Sequence, residues 1–355
     1  MSANAIDIGF LEEKSAWQLH PRFFPSKVGG KPAWLDLNNL PNPSELTCSK
    51  CENPLIFLCQ VYAPYEDRED CFHRTLFIFI CRNGSCCQPN NANNIKVFRS
   101  QLARKNDYYS YEPCKEIESE VFPMEKWSKH CILCGNKAPS HCSKCKKVYY
   151  CSRKHQILDW QKGHKEKCEN IQQGKENVAS HFTVTETGKS VLFKEWELIV
   201  DEEDDEDPAE VNVDNEMDKL KKMIAEKKAG TLSNVSETEL EQYAKPIPED
   251  KVFNKFSKRV ARHPDQVLRY DKGGVPLWIT CDKGNSIVHI PNCQYCGGER
   301  QFEFQIMPQL LNYINVGIEF NSIDWGVIVV YTCKNSCNGE PAYKEEYVIK
   351  QDLSN

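Results

Sequence analysis

The chain has 355 residues, 40% of them apolar and 27% charged, with a formal net charge of −6. That balance is ordinary for a soluble globular protein of two or three domains. No stretch approaches the roughly 18 apolar residues of a membrane span, so no membrane partner is expected.

The opening MSANAIDIGFLEEKSAWQ has neither a basic start nor an apolar centre, so it does not read as a signal peptide, and the expected location is cytoplasmic and nuclear. Nineteen cysteines in such compartments call for something other than disulfides. Eight of them form four Cys-x-x-Cys pairs, the spacing that sets two thiolates on one zinc ion.

In chain order, residues 1–125 open with Gly/Pro-rich turns. They continue with LIFLCQVYAP (Leu55–Pro64) and TLFIFIC (Thr75–Cys81), both predicted as buried strands. Residues 126–170 are a compact Cys/His cluster, with eleven Lys/Arg against two Asp/Glu from Lys126 to Cys168. Residues 171–250 are polar and acidic, lack a continuous core pattern and are expected to be largely flexible. They include DEEDDED at Asp201–Asp207, a helix predicted at EMDKLKKMIAEKK and a capping box from Ser236 to Glu239. Residues 251–355 begin with an amphipathic helix, KVFNKFSKRVA, whose Phe253, Phe256 and Val260 share one face and which Pro264 stops. Strands are predicted at QFEFQIM and WGVIVVYTC.

The first and last segments are two copies of one pattern. GGKPAW at Gly29 matches GGVPLW at Gly273, and Trp34 precedes Cys48 by 14 residues where Trp278 precedes Cys293 by 15. FLCQV from Phe57 matches FEFQI from Phe302, each six residues after a Cys-x-x-Cys pair. Each copy then closes on a second cysteine pair. The two copies are expected to build one domain, with the middle of the chain inserted at a surface loop. Cys48, Cys51, Cys81 and Cys86 correspond to Cys293, Cys296, Cys333 and Cys337, and suit one closed four-cysteine zinc site per copy, as in zinc ribbons. Cys86 is preferred to Cys87 because its spacing is nearer that of the second copy. Ligands from one copy and ligands exchanged between copies both satisfy the spacing. Cys59, Cys71, Cys87, Cys114 and Cys281 read as buried thiols. The expected fold class is α+β: a β-rich domain of two zinc-ribbon-like repeats interrupted by a small α/zinc finger.

The middle cluster, CILCGNKAPSHCSKCKKVYYCSRKHQILDWQKGHKEKC, offers eight ligands as four pairs: Cys131/Cys134, Cys142/Cys145, Cys151/His155 and His164/Cys168. It resembles the MYND zinc finger, which holds two zinc ions in interleaved fashion. The resemblance implies one ion on Cys131, Cys134, Cys151 and His155, and a second on Cys142, Cys145, His164 and Cys168. Most members of the family carry a cysteine where this chain has His155. So small a module needs its metal to fold, on the order of 10 kcal/mol per site. Gln156 and Trp160 match the positions that line a proline-rich peptide groove in MYND fingers; packing of Trp160 on the zinc core is the alternative.

FPSKVGGKPAWL (Phe24–Leu35), the split by a MYND finger, and the closing QFEFQIMPQLLNYI and SIDWGVIVVYTC are similar to the programmed cell death protein 2 family, whose repeat domain is called TYPP. The resemblance implies a dedicated chaperone of a basic small-subunit ribosomal protein, supporting 40S biogenesis. Outside the finger the chain keeps 34 basic and 49 acidic residues, a charge that suits a basic client. The alternative is a nuclear adaptor whose finger recruits proline-rich peptides of transcriptional regulators. No catalytic residue is expected: no P-loop, dinucleotide glycine motif, Gly-x-Ser-x-Gly or SET-domain stretch is found. Zinc is the expected cofactor, two ions in the finger and two in the repeats, and direct nucleic-acid binding is not expected.

Overall fold

A computed structural model describes residues 6–118, 122, 124–175, 190–204, 251–280, 289–314, 316 and 322–353. The first half supplies strands β1 (Asp7–Glu12), β2 (Lys27–Val28), β3 (Ile56–Tyr62), β4 (His73–Ile80) and β5 (Ile95–Leu102). The finger contains a two-stranded ribbon, β6 (Ser140–His141) and β7 (Tyr149–Tyr150), then helices α1 (Arg153–Asp159) and α2 (Lys165–Gln172). After it come β8 (Trp196–Glu202), α3 (Lys251–Arg262), β9 (Leu268–Tyr270), β10 (Arg300–Ile306), a one-turn helix α4 (Leu310–Tyr313), β11 (Val327–Cys333) and β12 (Tyr343–Gln351).

Ten of these strands close a barrel in the order β1-β8-β2-β3-β4-β5-β12-β11-β10-β9. This corrects the expectation of two zinc-ribbon-like repeats. Each copy alone would expose an unpaired edge, and closure pairs every edge with the other copy. At one seam β5 meets β12, from Ser100↔Tyr343 to Val97↔Glu346. At the other, β1 pairs with β9 from Asp7↔Tyr270 to Gly9↔Leu268. β8, from the inserted stretch, lies between β1 and β2 and pairs with both, with β1 from Asp7↔Glu202 to Glu12↔Glu197. The chain halves are therefore interleaved.

β8 also falls inside the stretch 171–250 that reads as polar linker. It was illegible because only Leu198 of the strand is buried. The start of DEEDDED belongs to this barrel wall: Asp201 and Glu202 are in β8, and Glu203 is buried on Arg269 at 2.7 Å. Asp205–Asp207, the helix predicted at EMDKLKKMIAEKK, the Ser236–Glu239 capping box and Cys281 lie outside the described residues. Of the apolar face predicted on α3, Phe256 is buried and Val260 packs beside it, while Phe253 stays 37% exposed.

Both faces of β4 are buried, which explains its unbroken apolar run. Leu76, Ile78 and Ile80 join Val97, Phe304, Ile306, Ile328 and Val330 in a core shared by both halves. Phe77 and Phe79 alternate to the other face and pack with Trp34, Phe57, Phe98 and Tyr343. The two copies repeat each other closely. A register shift falls between Phe57 and Cys59 in β3 and between Phe302 and Phe304 in β10. Gln60 Oε1 accepts from the Ala33 amide at 2.9 Å, and Gln305 Oε1 accepts from the matching Leu277 amide at 2.6 Å.

The finger is docked on the first copy. The Trp34 indole donates to Gly135 O at 2.8 Å, the Asn136 side chain donates to Leu55 O at 3.2 Å, and Lys154 Nζ donates to Cys51 O at 2.8 Å. Gly135 has φ 77°, and a Cβ there would stand 2.8 Å from Lys31 Cβ. Only glycine allows that approach.

Candidate metal centres

Four sets of side chains converge: Cys48/Cys51/Cys81/Cys86, Cys131/Cys134/Cys151/His155, Cys142/Cys145/His164/Cys168 and Cys293/Cys296/Cys333/Cys337. Within each set all ligand atoms lie within 4.8 Å of one another. Each repeat site is built within one copy, so the choice the spacing left open resolves against exchange. Cys86 is in its set; Cys87 instead lies 3.1 Å from Lys350 Nζ. All these cysteines are free thiols.

The separations fit tetrahedral zinc. A Zn–S bond of about 2.3 Å puts thiolates about 3.8 Å apart. Observed sulfur pairs are 3.5 Å for Cys51–Cys81, 3.6 Å for Cys134–Cys151, 3.8 Å for Cys142–Cys168, and 3.7 and 3.6 Å for Cys293–Cys337 and Cys296–Cys333. No set leaves an open ligand position of the kind a catalytic zinc needs.

Each Cys-x-x-Cys is wound into the same knuckle. The amide after the second cysteine returns to the carbonyl of the first: Glu52 to Cys48, Gly135 to Cys131, Lys146 to Cys142 and Gly297 to Cys293, all at 2.8–2.9 Å. Those four residues have φ of 56°, 77°, 58° and 72°. Two of them, Glu52 and Lys146, carry a side chain in a conformation that costs non-glycine residues roughly 1–2 kcal/mol.

In the finger, Ser152 caps α1 by accepting the His155 amide, which starts the helix two residues after Cys151 and turns His155 Nδ1 to within 3.2 Å of Cys151 Sγ. A kink at Gly163, φ 130°, separates α1 from α2 and lets His164 Nε2 reach 3.6 Å from Cys145 Sγ. Asp159 stands behind that ring, its Oδ2 4.0 Å from His164 Nδ1 and accepting from Tyr150 OH at 2.7 Å. At that separation the carboxylate acts on the imidazole through its charge, with no hydrogen bond between the two. Sequence reading missed Asp159: five residues before His164, it is off that residue's face on a regular α-helix, and the kinked turn at Trp160–His164 brings the two together.

The thiols influence one another. Burial pushes Cys51 up, but the Asn53 amide and the thiols of Cys81, Cys86 and Cys48 outweigh it and bring Cys51 down to about 7. Burial likewise opposes ionisation of Cys131, yet hydrogen bonds from Cys134, Cys151 and His155 hold it well below the usual thiol range. Beside the second repeat site the buried Arg99 guanidinium lies 3.6 Å from Cys337 Sγ, a cation suited to an anionic four-thiolate site.

Gln156 and Trp160 share a face of the finger. Trp160 is 38% exposed with Ile157 open beside it, its ring edge-on to His164 at 5.8 Å, and Gln156 accepts from Arg153 at 3.0 Å. His130 and His141 stay outside every set.

A β-barrel closed between two chain halves, carrying four Cys/His clusters and a docked finger, defines a zinc-finger protein whose metal sites suit a structural role. Three family models match parts of the chain, none of them covering β8. The N-terminal and C-terminal domains of programmed cell death protein 2 match residues 5–116 and 250–352, and the MYND finger matches residues 131–168. The chain is 41% identical to programmed cell death protein 2 of Bos taurus over 99% of this chain and 98% of the relative. It is 29% identical to the human programmed cell death protein 2-like over 92% and 90%, and 26% identical to "Probable 20S rRNA accumulation protein 4" of Schizosaccharomyces pombe over 93% and 92%. No solved structure matches. The chain belongs to the programmed cell death protein 2 family.

Proposed function

We propose that this chain is a non-catalytic, zinc-stapled holder of a basic small-subunit ribosomal protein, acting in 40S biogenesis in cytoplasm and nucleus. The observation that carries the reading is its full-length similarity to a relative named for 20S rRNA accumulation, on a scaffold whose sulfur sites are closed. Four zinc ions per chain, one for each converging set, hold the finger and both copies in shape. The net −15 balance outside the finger draws a cationic client and speeds encounter.

The test is affinity capture from dilute lysate, with and without a translation inhibitor. Recovery of one small-subunit ribosomal protein together with its translating message supports the reading; recovery of chromatin factors alone overturns it. The exposed Trp160 and Ile157 favour a second role for the finger, binding proline-rich peptides, with Gln156 and Trp160 as the contact pair.

A further inference from the structure

The two copies share one design but not one fate. In the first, Lys31, Pro32 and Trp34 lie beneath the finger. Trp34 is 1% exposed, its indole satisfied by Gly135 O at 2.8 Å, and Gly135 rests on Lys31 and Pro32 so closely that a Cβ would come within 3.0 Å of Pro32 Cδ. The finger also reaches the neighbouring knuckle through Lys154 on Cys51 O and Asn53.

The counterparts in the second copy are Val275, Pro276, Trp278 and the knuckle at Cys296. Val275 is 77% exposed, Pro276 and Trp278 are half-buried, and Cys296 is exposed. The Trp278 indole makes no hydrogen bond among the described residues, where its twin makes a buried one. Yet the frame beneath is built alike: Gln305 holds Leu277 by its amide and carbonyl at 2.6 and 3.0 Å, as Gln60 holds Ala33. A depression of about 110 Å³, lined in part by Val275, Leu277 and Phe302, adjoins the turn.

We propose that the Val275–Pro276–Trp278 face is a docking surface for a glycine-containing turn of a partner polypeptide, seated as Gly135 is seated on the first copy. The occupant presents a backbone carbonyl to Trp278 Nε1 and a glycine in the left-handed conformation against Val275 and Pro276. Any Cβ at that glycine is excluded by the approach distance, and burial of Val275 supplies apolar contact. The inference rests on the preceding reading only in that the chain holds other polypeptides.

The probe is a head-to-tail cyclic peptide displaying the Leu133–Asn136 turn, with serine in place of Cys134, added to the full zinc-loaded chain labelled with 5-fluorotryptophan. The Trp278 signal is assigned by its loss in Trp278→Phe. The peptide should shift that signal, its valine-for-glycine counterpart should not, and Val275→Asp should weaken binding at least tenfold with unchanged zinc content and Tm. An unmoved Trp278 signal, equal response to both peptides, or a shift confined to Trp160 overturns the proposal. Failure of ribosomal-protein capture with Trp278 still answering the peptide removes the client assignment and leaves this surface standing.

Discussion

Arg74 of the first copy and Glu303 of the second meet inside the barrel in a two-pronged ion pair, 2.5 and 2.6 Å, with neither side chain exposed to solvent. Tyr270 OH donates to the same carboxylate at 3.0 Å, and Thr332 does so as well. Burial pushes the Glu303 carboxyl up, and Arg74 outweighs it, holding the group at about 2.

Breaking that pair from one side should be costly, because it strands a buried guanidinium. Glu303→Gln is expected to lose about 3–5 kcal/mol in urea unfolding, and the double variant Arg74→Met/Glu303→Leu to recover most of it. If the double variant is as unstable as the single one, the pair contributes net stability and the stranded charge is not the cause.

The knuckle strain at Lys146 should be removable. Lys146→Gly keeps both finger sites intact and is expected to raise resistance to unfolding by about 0.5–1 kcal/mol, since relief of the left-handed conformation exceeds the added chain entropy. Zinc content by atomic absorption should equal that of the unsubstituted chain, and a lower count would show that the lysine itself serves the site.

A hydrogen bond from Trp34 ties the finger to the barrel, so Trp34→Phe should loosen the docking. The cost is about 1–3 kcal/mol, because Gly135 O is left buried without a donor. Hydrogen exchange should accelerate at finger amides near Gly135 while β10 and β11 keep their protection. Uniform acceleration in both copies would instead mean that the tryptophan holds the whole barrel.

His73 contributes to the pH dependence beside His20 and His130, which burial lowers likewise. It is 6% exposed, stacked on Phe24 at 4.0 Å and bonded to Tyr62 OH at 2.9 Å. Burial, then the nearby Arg104 charge, lowers it to about 4 from 6.5. Between those values the unfolded chain binds the proton and the folded chain does not, so stability rises with pH across that window. His73→Gln should remove on the order of 2 kcal/mol of the rise between pH 4 and 6.5, leaving the share of His20 and His130, with no change of slope above pH 7. An unchanged slope would move the titration to another group.

Much of this molecule is legible in its sequence because the legible parts are local. A Cys-x-x-Cys pair followed by a left-handed residue is a property of five consecutive positions, so the two repeat sets and the choice of Cys86 over Cys87 followed from spacing, while the interleaved pairing in the finger came from its resemblance to the MYND family. The strands at Leu55, Thr75 and Trp325 were equally plain, being apolar on successive residues, and the one at Gln301 showed itself by alternation. β1, β8 and β12 were not: they mix charged and apolar residues, and Glu203 and Glu346 are buried only because Arg269 and Arg99 reach them from other strands. Duplication was visible, and what the duplicates do with each other was not. Cysteine spacing describes a turn, whereas the pairing of β5 with β12 and the passage of β1 to the second copy are decided by which edges remain unpaired once every other strand has a neighbour. That choice exists only in three dimensions, and it makes a closed barrel of what the chain spells as two separate repeats.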